Sequence, residues 1–498
     1  MRRALTGLLS LSVLTSSAAL SAQTAAPLPR LGMDPGEPQV RSAPPSVPFG
    51  IPPTSQQYVL DFHGYLLLPL RVGVLERKNP APGQSDTALH SPPLIPQNLR
   101  RFQYTGAVPD TWTQLNFTYG NSIIAGTVIL AARSLTDASG LFNPVDQLGA
   151  NDAFLTLNLS QPVGIPLQVR VGAMTGRYGN MGPYDSGRYG TPLIARTNSI
   201  GESILAGFKL GNNFSLALEQ GFGGQLGRPP RGLVPAGWNG FADPNVGASF
   251  VNQLHLGGAY RDVLQLGLHY LTAFSQDDQV TSTSAPDGRI VVLGAEARLN
   301  AGRAGQLYLG ASHVQAQDSG TVAGVIEILN ARGGPELIDE YLGPNSGGDG
   351  TLSIFGGQYD LSLARAAFGE LYQGKSPDIR LSLFGNGVSV TSDDKAFDGR
   401  LKIKGGVEAT YDVASWFGVS TRVDHVRPNT DNAREAFTVL SPRLLFHTGW
   451  QSRDELALQY SHFIYGSQVV AERGFPPRPD PTLTPDHHVF SLSGTYWW

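Results

Sequence analysis

Period-two alternation runs through most of this 498-residue chain and constrains its fold more than any other feature. From Tyr58 onward, Leu60, Phe62, Gly64, Leu66, Leu68, Leu70, Val72 and Val74 share one parity. Asp61, His63, Tyr65, Leu67, Pro69 and Arg71 share the other. A strand turns successive side chains to opposite faces, so one face is apolar and the other carries charge and hydrogen-bonding groups. The pattern recurs at Leu264–Tyr270, at Ile379–Phe384, at Leu401–Tyr411 and at Phe417–Asp424. No amphipathic helix of comparable clarity accompanies these runs.

Alternation also occurs in soluble sandwiches, and the connections decide between the two. The periodic segments are 58–75, 100–119, 122–134, 151–160, 166–175, 200–210, 213–221, 249–260, 262–274, 288–300, 305–316, 350–362, 379–388, 400–412, 416–427, 436–448, 454–465 and 487–498. Short joints such as Gly120-Asn121, Gly211-Asn212-Asn213 and Arg261-Asp262 have hairpin-turn composition. They alternate with long Gly/Pro/Asn/Asp-rich connections at 76–99, 176–199, 222–248, 317–349 and 466–486. Only 363–378 is too long for its place in the pattern. Short turns at one end and long loops at the other are the habit of membrane barrels. In lipid every backbone amide must be paired internally, so a sheet crosses only by closing on itself. The expectation is an all-β, transmembrane antiparallel β-barrel of about eighteen strands, with sixteen as the lower count. Its turns are periplasmic, its long loops extracellular.

The N-terminus supplies an address. Arg2 and Arg3 precede an apolar stretch from Leu5 to Leu20, and small residues lead to cleavage near Ala22. Residues 1–22 are therefore read as a signal peptide. Nine of the residues in 23–55 are proline. Proline donates no ladder hydrogen bond, so this segment is an extended periplasmic linker. The barrel occupies 56–498, and the expected location is the outer membrane of a Gram-negative bacterium.

The chain closes Phe490-Ser-Leu492-Ser-Gly494-Thr-Tyr496-Trp-Trp498, again alternating. This ending resembles the terminal strand of bacterial outer-membrane proteins, which implies recognition by the barrel-assembly machinery through Tyr496 and Trp498. Asp61-Phe62-His63-Gly64-Tyr65 resembles the opening strand of the maltoporin group of carbohydrate-selective porins, and Trp497-Trp498 resembles its end. That resemblance implies an eighteen-stranded homotrimer, an inward-folded third loop and an aromatic track beside sugar-binding polar groups. The proline-rich linker departs from the group's pattern.

Barrels of 16–18 strands leave an aqueous channel. The expected function is a porin for passive diffusion of small polar solutes, sugars or anions. Candidate pore-lining and selectivity residues are Arg71, Arg170, Arg177, Arg188, Arg298, Arg380, Lys402, Lys404, Glu408, Arg422 and Asp424, with Glu296 on the same parity. Arg or Lys at the lipid midplane costs about 2–4 kcal/mol, which assigns these residues to the lumen. Cations outnumber acids in this set, which leans toward anions. Tyr65, Phe154, Tyr308 and Phe384 are the candidates for an aromatic track, although for any single one of them a filler against a neighbouring strand is the favoured reading. The 176–199 connection, with its tyrosines and arginines, is the candidate constriction.

Composition excludes other classes. There is no cysteine and therefore no disulfide scaffold or thiolate metal site, and the net charge of −4 gives no field for nucleic acid. The charged fraction of 15% is low for a soluble domain, yet the mean hydropathy is close to neutral, unlike a bundle of spanning helices. No G-x-S-x-G elbow is present, and no cofactor or metal motif is found. His487 and His488 are adjacent and point to opposite faces. The expected partners are outer-membrane lipid and lipopolysaccharide, the assembly machinery and small polar solutes. A polysaccharide-export barrel is the alternative reading, and a barrel enzyme a more distant one.

Overall fold

Among the described residues of the computed structural model, twenty strands, antiparallel at every pairing, form a single sheet. The structure describes residues 56–74, 112–133, 148–177, 195–226, 248–261, 263–276, 288–322, 326–329, 335–336, 341–343, 345–372, 377–448, 453–467 and 486–497. Residues 1–55, read from the sequence as signal peptide and linker, and Arg188 and Trp498 lie outside these residues.

The first strands are β1 (Val59–Val74), β2 (Trp112–Gly120), β3 (Ile124–Arg133), β4 (Leu148–Asn158), β5 (Leu167–Arg177) and β6 (Ala195–Leu210). They are followed by β7 (Phe214–Leu226), β8 (Ala248–Tyr260), β9 (Leu264–Gln276), β10 (Arg289–Asn300) and β11 (Gln306–Gln317). Two short pieces, β12 (Ile326–Leu329) and β13 (Pro335–Glu336), precede β14 (Gly350–Ser362). The last six are β15 (Asp378–Ser392), β16 (Leu401–Ala414), β17 (Phe417–Arg427), β18 (Phe437–Phe446), β19 (Arg453–Tyr465) and β20 (Asp486–Trp497).

Each long strand pairs with the next, β11 pairs directly with β14, and β1 pairs with both β2 and β20. Setting aside β12 and β13, eighteen of the twenty strands thus close into a ring with no free edge. These are the eighteen segments that alternation picks out. β1 starts and β20 finishes at the end where the connections are short. The long 363–378 connection is on that end too. It holds a helix, Leu363–Phe368, whose N-cap Ser362 accepts from the Arg365 backbone N–H. Asp378 accepts from Ala364 N–H, so the extra length is folded rather than loose.

The two parities separate as a spanning barrel requires. Leu268, Leu293, Leu309, Leu383, Leu456 and Phe490 are exposed on the outer face. The alternate residues His269, Glu296, Arg298, Ser382, Lys402, Glu408, Arg422 and Asp424 are buried on the inner face. Toward the long-loop end the inner face changes character. Leu271, Ile290, Val314, Leu352, Val390 and Val439 belong to one apolar cluster there. The charge and hydrogen-bonding groups read from the sequence on this face thus occupy only part of its height. The apolar section is covered by the connection between β11 and β14, which enters the barrel.

Candidate functional site

The charged inner wall is densest on β15 to β18. Arg422 and Asp424 are two apart on β17 and share its inward parity. Arg422 Nε donates to Asp424 Oδ2 and Nη2 to Oδ1, each at 2.7 Å, with the side chains 0% and 1% exposed. This two-pronged bond is the strong form of a charge-assisted contact. Lys404 Nζ stands 3.9 Å from the same Asp424 Oδ1. Phe384, on β15, lies against both cations, 4.4 Å from Arg422 Cζ and 5.8 Å from Lys404 Nζ measured to the ring centroid. The register explains why the ring fits. Phe384 is opposite Gly406, and a Cβ at 406 would stand 2.4 Å from the ring's Cζ. Beside this group, Arg443 Nη2 reaches Glu408 Oε2 at 2.8 Å, while Glu408 Oε1 accepts from Thr410 and Ser420 hydroxyls. Nearer the short turns, Arg380 makes a second two-pronged pair with Asp412.

A second sector spans β8 to β11. His269 Nε2 lies 2.7 Å from Glu296 Oε1. Arg298 Cζ stands 5.5 Å from the Tyr308 ring centroid, and Tyr308 donates its hydroxyl to Gln306. On β14, Asp360 accepts from Gln358 and from the Ser382 hydroxyl, which links this sector to the first. A third sector, on β4 to β7, sets Arg170 5.3 Å from the Phe154 ring centroid and Glu219 against the Ser203 hydroxyl.

Phe154, Tyr308 and Phe384 each have an arginine over the ring. Tyr308 and Phe384 share one register row through Gln358, while Phe154 stands on β4, away from that row. The structure therefore pairs each ring with a cation instead of joining all of them in a single line. The inner face also carries Asp152, Glu219, Asp360 and Asp412. Among the described residues, these acids offset the cations of the inner wall. Tyr65 and Arg71 are placed in β1, and Arg177 at the end of β5, but their side chains are outside the described residues, as is Arg188. Tyr496 is exposed on the outer face.

The inner-wall groups that sequence reasoning missed are Glu219, His255, His269, Asp360 and Arg443, together with Tyr341 and Leu342 from a loop. The connection after β11 turns along the inner side of β10, β9 and β8 through residues 319–322, with Val322 fully buried. β12 then pairs with the start of β6. Tyr341 and Leu342 return to the far wall and are 1% and 0% exposed. Lys402 Nζ sits 4.7 Å from the Tyr341 ring centroid, and Ser392 Oγ donates to the Leu342 carbonyl at 2.5 Å. Asp394 accepts from both the backbone and side-chain nitrogens of Asn345. Gly343, at φ +97°, allows the tight passage: a Cβ there would stand 2.7 Å from Asp394 Oδ2 and 2.4 Å from the Phe397 ring. The described residues of 318–349 are thus what the structure brings across the mouth. Residues 178–194 of the connection singled out from sequence lie outside the described residues.

Asp394 makes this clasp pH-sensitive. Backbone N–H donation from Ala396 and the Asn345 donors hold its carboxyl below the usual carboxylate range. A depressed folded-state pKa contributes stability above the unfolded value, and this is lost as pH falls through the folded value. The clasp is accordingly expected to loosen below about pH 4. Protease nicking of the refolded barrel near residue 345 is expected to rise in that range, and Asp394→Asn should abolish the pH step.

No protein-family model and no curated protein sequence matches the chain. Among solved structures, it is similar to the outer membrane protein OpdK from Pseudomonas aeruginosa, at 13% identity and a TM-score of 0.40, over 88% of this chain and 98% of that one. It is similar to OmpT of Vibrio cholerae at 9% identity and a TM-score of 0.36, over 89% and 98%. It is similar to the outer membrane channel DcaP of Acinetobacter baumannii at 10% identity and a TM-score of 0.35, over 89% and 97%. The barrel is defined by its own strand register rather than by these likenesses. A closed ring, an apolar outside and a charged inside define the class: a porin-like β-barrel of the outer-membrane type.

Proposed function

We propose that this chain forms a channel in the outer membrane of a Gram-negative bacterium through which small polar solutes diffuse passively. The observation that carries this reading is the partition of charge. Arg298, Lys404, Arg422 and Arg443, with their acidic neighbours, are all turned inward in an eighteen-stranded ring whose outer face is leucine-rich. Wall charges of both signs set a transverse field across a wet lumen and tune what passes. The signal peptide and the Tyr496–Trp498 ending support export and assembly in that membrane. The balance of acids and bases supports small polar solutes of either sign over anions alone.

The narrower reading is sugar selectivity of the maltoporin kind. It rests on the chain ends and on the Tyr308–Gln358–Phe384 row, which offers ring surface beside hydrogen-bonding groups. Planar-bilayer conductance of the refolded barrel tests both readings. Stepwise ion conductance is expected, and a closed, silent barrel would remove the channel reading. Blockade by neutral oligosaccharides supports the sugar reading, and blockade only by acidic polymers supports polysaccharide export instead.

A further inference from the structure

Strands β7 to β10 set four chemistry-bearing side chains side by side on the inner wall. Glu219 is directly opposite His255, and His255 is directly opposite His269. Glu296 stands two residues beyond Gly294, the partner of His269 on β10. The order across the wall is carboxylate, imidazole, imidazole, carboxylate. The two imidazole rings are stacked, with centroids 4.5 Å apart and planes 18° from parallel. His269 Nε2 meets Glu296 Oε1 at 2.7 Å, and these side chains are 0% and 4% exposed. His255 Nε2 is buried and makes no hydrogen bond among the described residues. One ligating atom from each of His255, His269 and Glu296 falls within 4.8 Å of the other two.

We propose that His255, His269 and Glu296 bind a divalent transition-metal cation, of which Zn²⁺ is the test case, on the inner wall of the barrel. Two imidazole nitrogens with one carboxylate oxygen are the donor set of Zn²⁺, Cu²⁺ and Ni²⁺, whereas Ca²⁺ and Mg²⁺ take oxygen ligands. The distances suit the smaller ions. Ligand atoms around tetrahedral zinc stand about 3.3 Å apart, given metal–ligand bonds of about 2.0–2.1 Å. Turning the His255 ring about its broad χ2 closes the remaining gap and aims Nε2 at the shared point. The ligands come from three hydrogen-bonded neighbours in one sheet, so the backbone is already fixed and little order remains to be imposed. Glu219, across from His255, places a second carboxyl group at the other end of the arc. The Ser203 hydroxyl donates to its Oε1, which holds that side chain in the arc. Binding does not depend on conduction, so the site stands or falls separately from the proposed function.

Isothermal titration of ZnCl₂ into the refolded, untagged, chelator-treated full chain in detergent tests the proposal. One saturable equivalent is expected. His255→Ala and Glu296→Gln should each weaken it by about 10- to 100-fold or more, the scale on which even outer-shell partners act. Glu296→Gln preserves shape, and circular dichroism with heat-modifiable gel mobility confirms that each variant is folded. The outward pair His462 and His488 is the internal control. Its rings are also 4.5 Å apart, with the Tyr460 hydroxyl within hydrogen-bond distance of His488. The double variant H462A/H488A should keep the equivalent. Absence of saturable binding, binding unchanged in folded H255A and E296Q, or loss only in H462A/H488A would each overturn the assignment.

Discussion

Asp424→Asn is expected to destabilise the barrel by about 3–5 kcal/mol, the cost of leaving one member of a buried ion pair alone. Urea unfolding of the protein refolded into lipid measures it. Asparagine keeps the shape of aspartate, so no cavity enters the comparison. What changes is the partner of Arg422, which is 0% exposed and gives two hydrogen bonds to the lost carboxylate. Lys404, 3.9 Å from the same oxygen, loses that ion pair as well. The variant therefore removes one negative charge from the wall beside two cations that lie against the Phe384 ring. Charge selectivity of the channel should move toward anions, which a reversal potential across a salt gradient reads. The double variant R422M/D424N should recover much of the loss, because replacing both members of a buried pair is often near neutral. A single-variant effect within about 0.5 kcal/mol, the size of an ordinary surface change, would show that water reaches this pair and that the wall there is open.

Such pairs also mark where the sequence stops being informative. Alternation assigns Arg422, Asp424, Lys404 and Glu408 to one face because each strand states its own parity. It also separates the eighteen ring strands, since each is bounded by a turn or loop signal. Neighbours across strands are a different matter, since they depend on register. A slip of two residues keeps every side chain on its face and changes every partner. Nothing local to His255 or His269 places the one opposite the other, and nothing in β18 assigns Arg443 to Glu408. The apolar inner ring is hidden for another reason. In runs such as Ile290–Leu293 and Val388–Val390, apolar residues on the inward parity look like ordinary strand residues. Their role appears only when the 318–349 connection lies against them, and loops have no periodicity from which that path can be read. β12 is four residues long and pairs with a strand more than a hundred positions away.

Leu342→Ala should release that connection while leaving the barrel intact. Leu342 is 0% exposed within the apolar inner cluster, packed where Val390 and Leu352 line the wall. Truncating a buried leucine costs about 2–5 kcal/mol. Here the cost falls on the docked state of one loop rather than on the ring, whose backbone hydrogen bonds run strand to strand and do not pass through residue 342. Every 1.4 kcal/mol is about tenfold in an equilibrium, so the undocked population should rise about tenfold or more. Among the other fasteners, the hydrogen bonds from Ser392 to the Leu342 carbonyl and from Asn345 to Asp394 each contribute about 0.5–1.5 kcal/mol, less than the leucine's burial. Single-channel records should show larger and noisier conductance as Tyr341 and Leu342 leave the lumen, with the urea midpoint of the barrel unchanged. Equal conductance in the variant and the parent would mean that solutes pass on the β1–β5 side of the mouth, away from the clasp. A fallen urea midpoint would mean that the loop is part of the barrel's cooperative core. The two measurements together separate a strap that narrows the channel from a buttress that holds its wall.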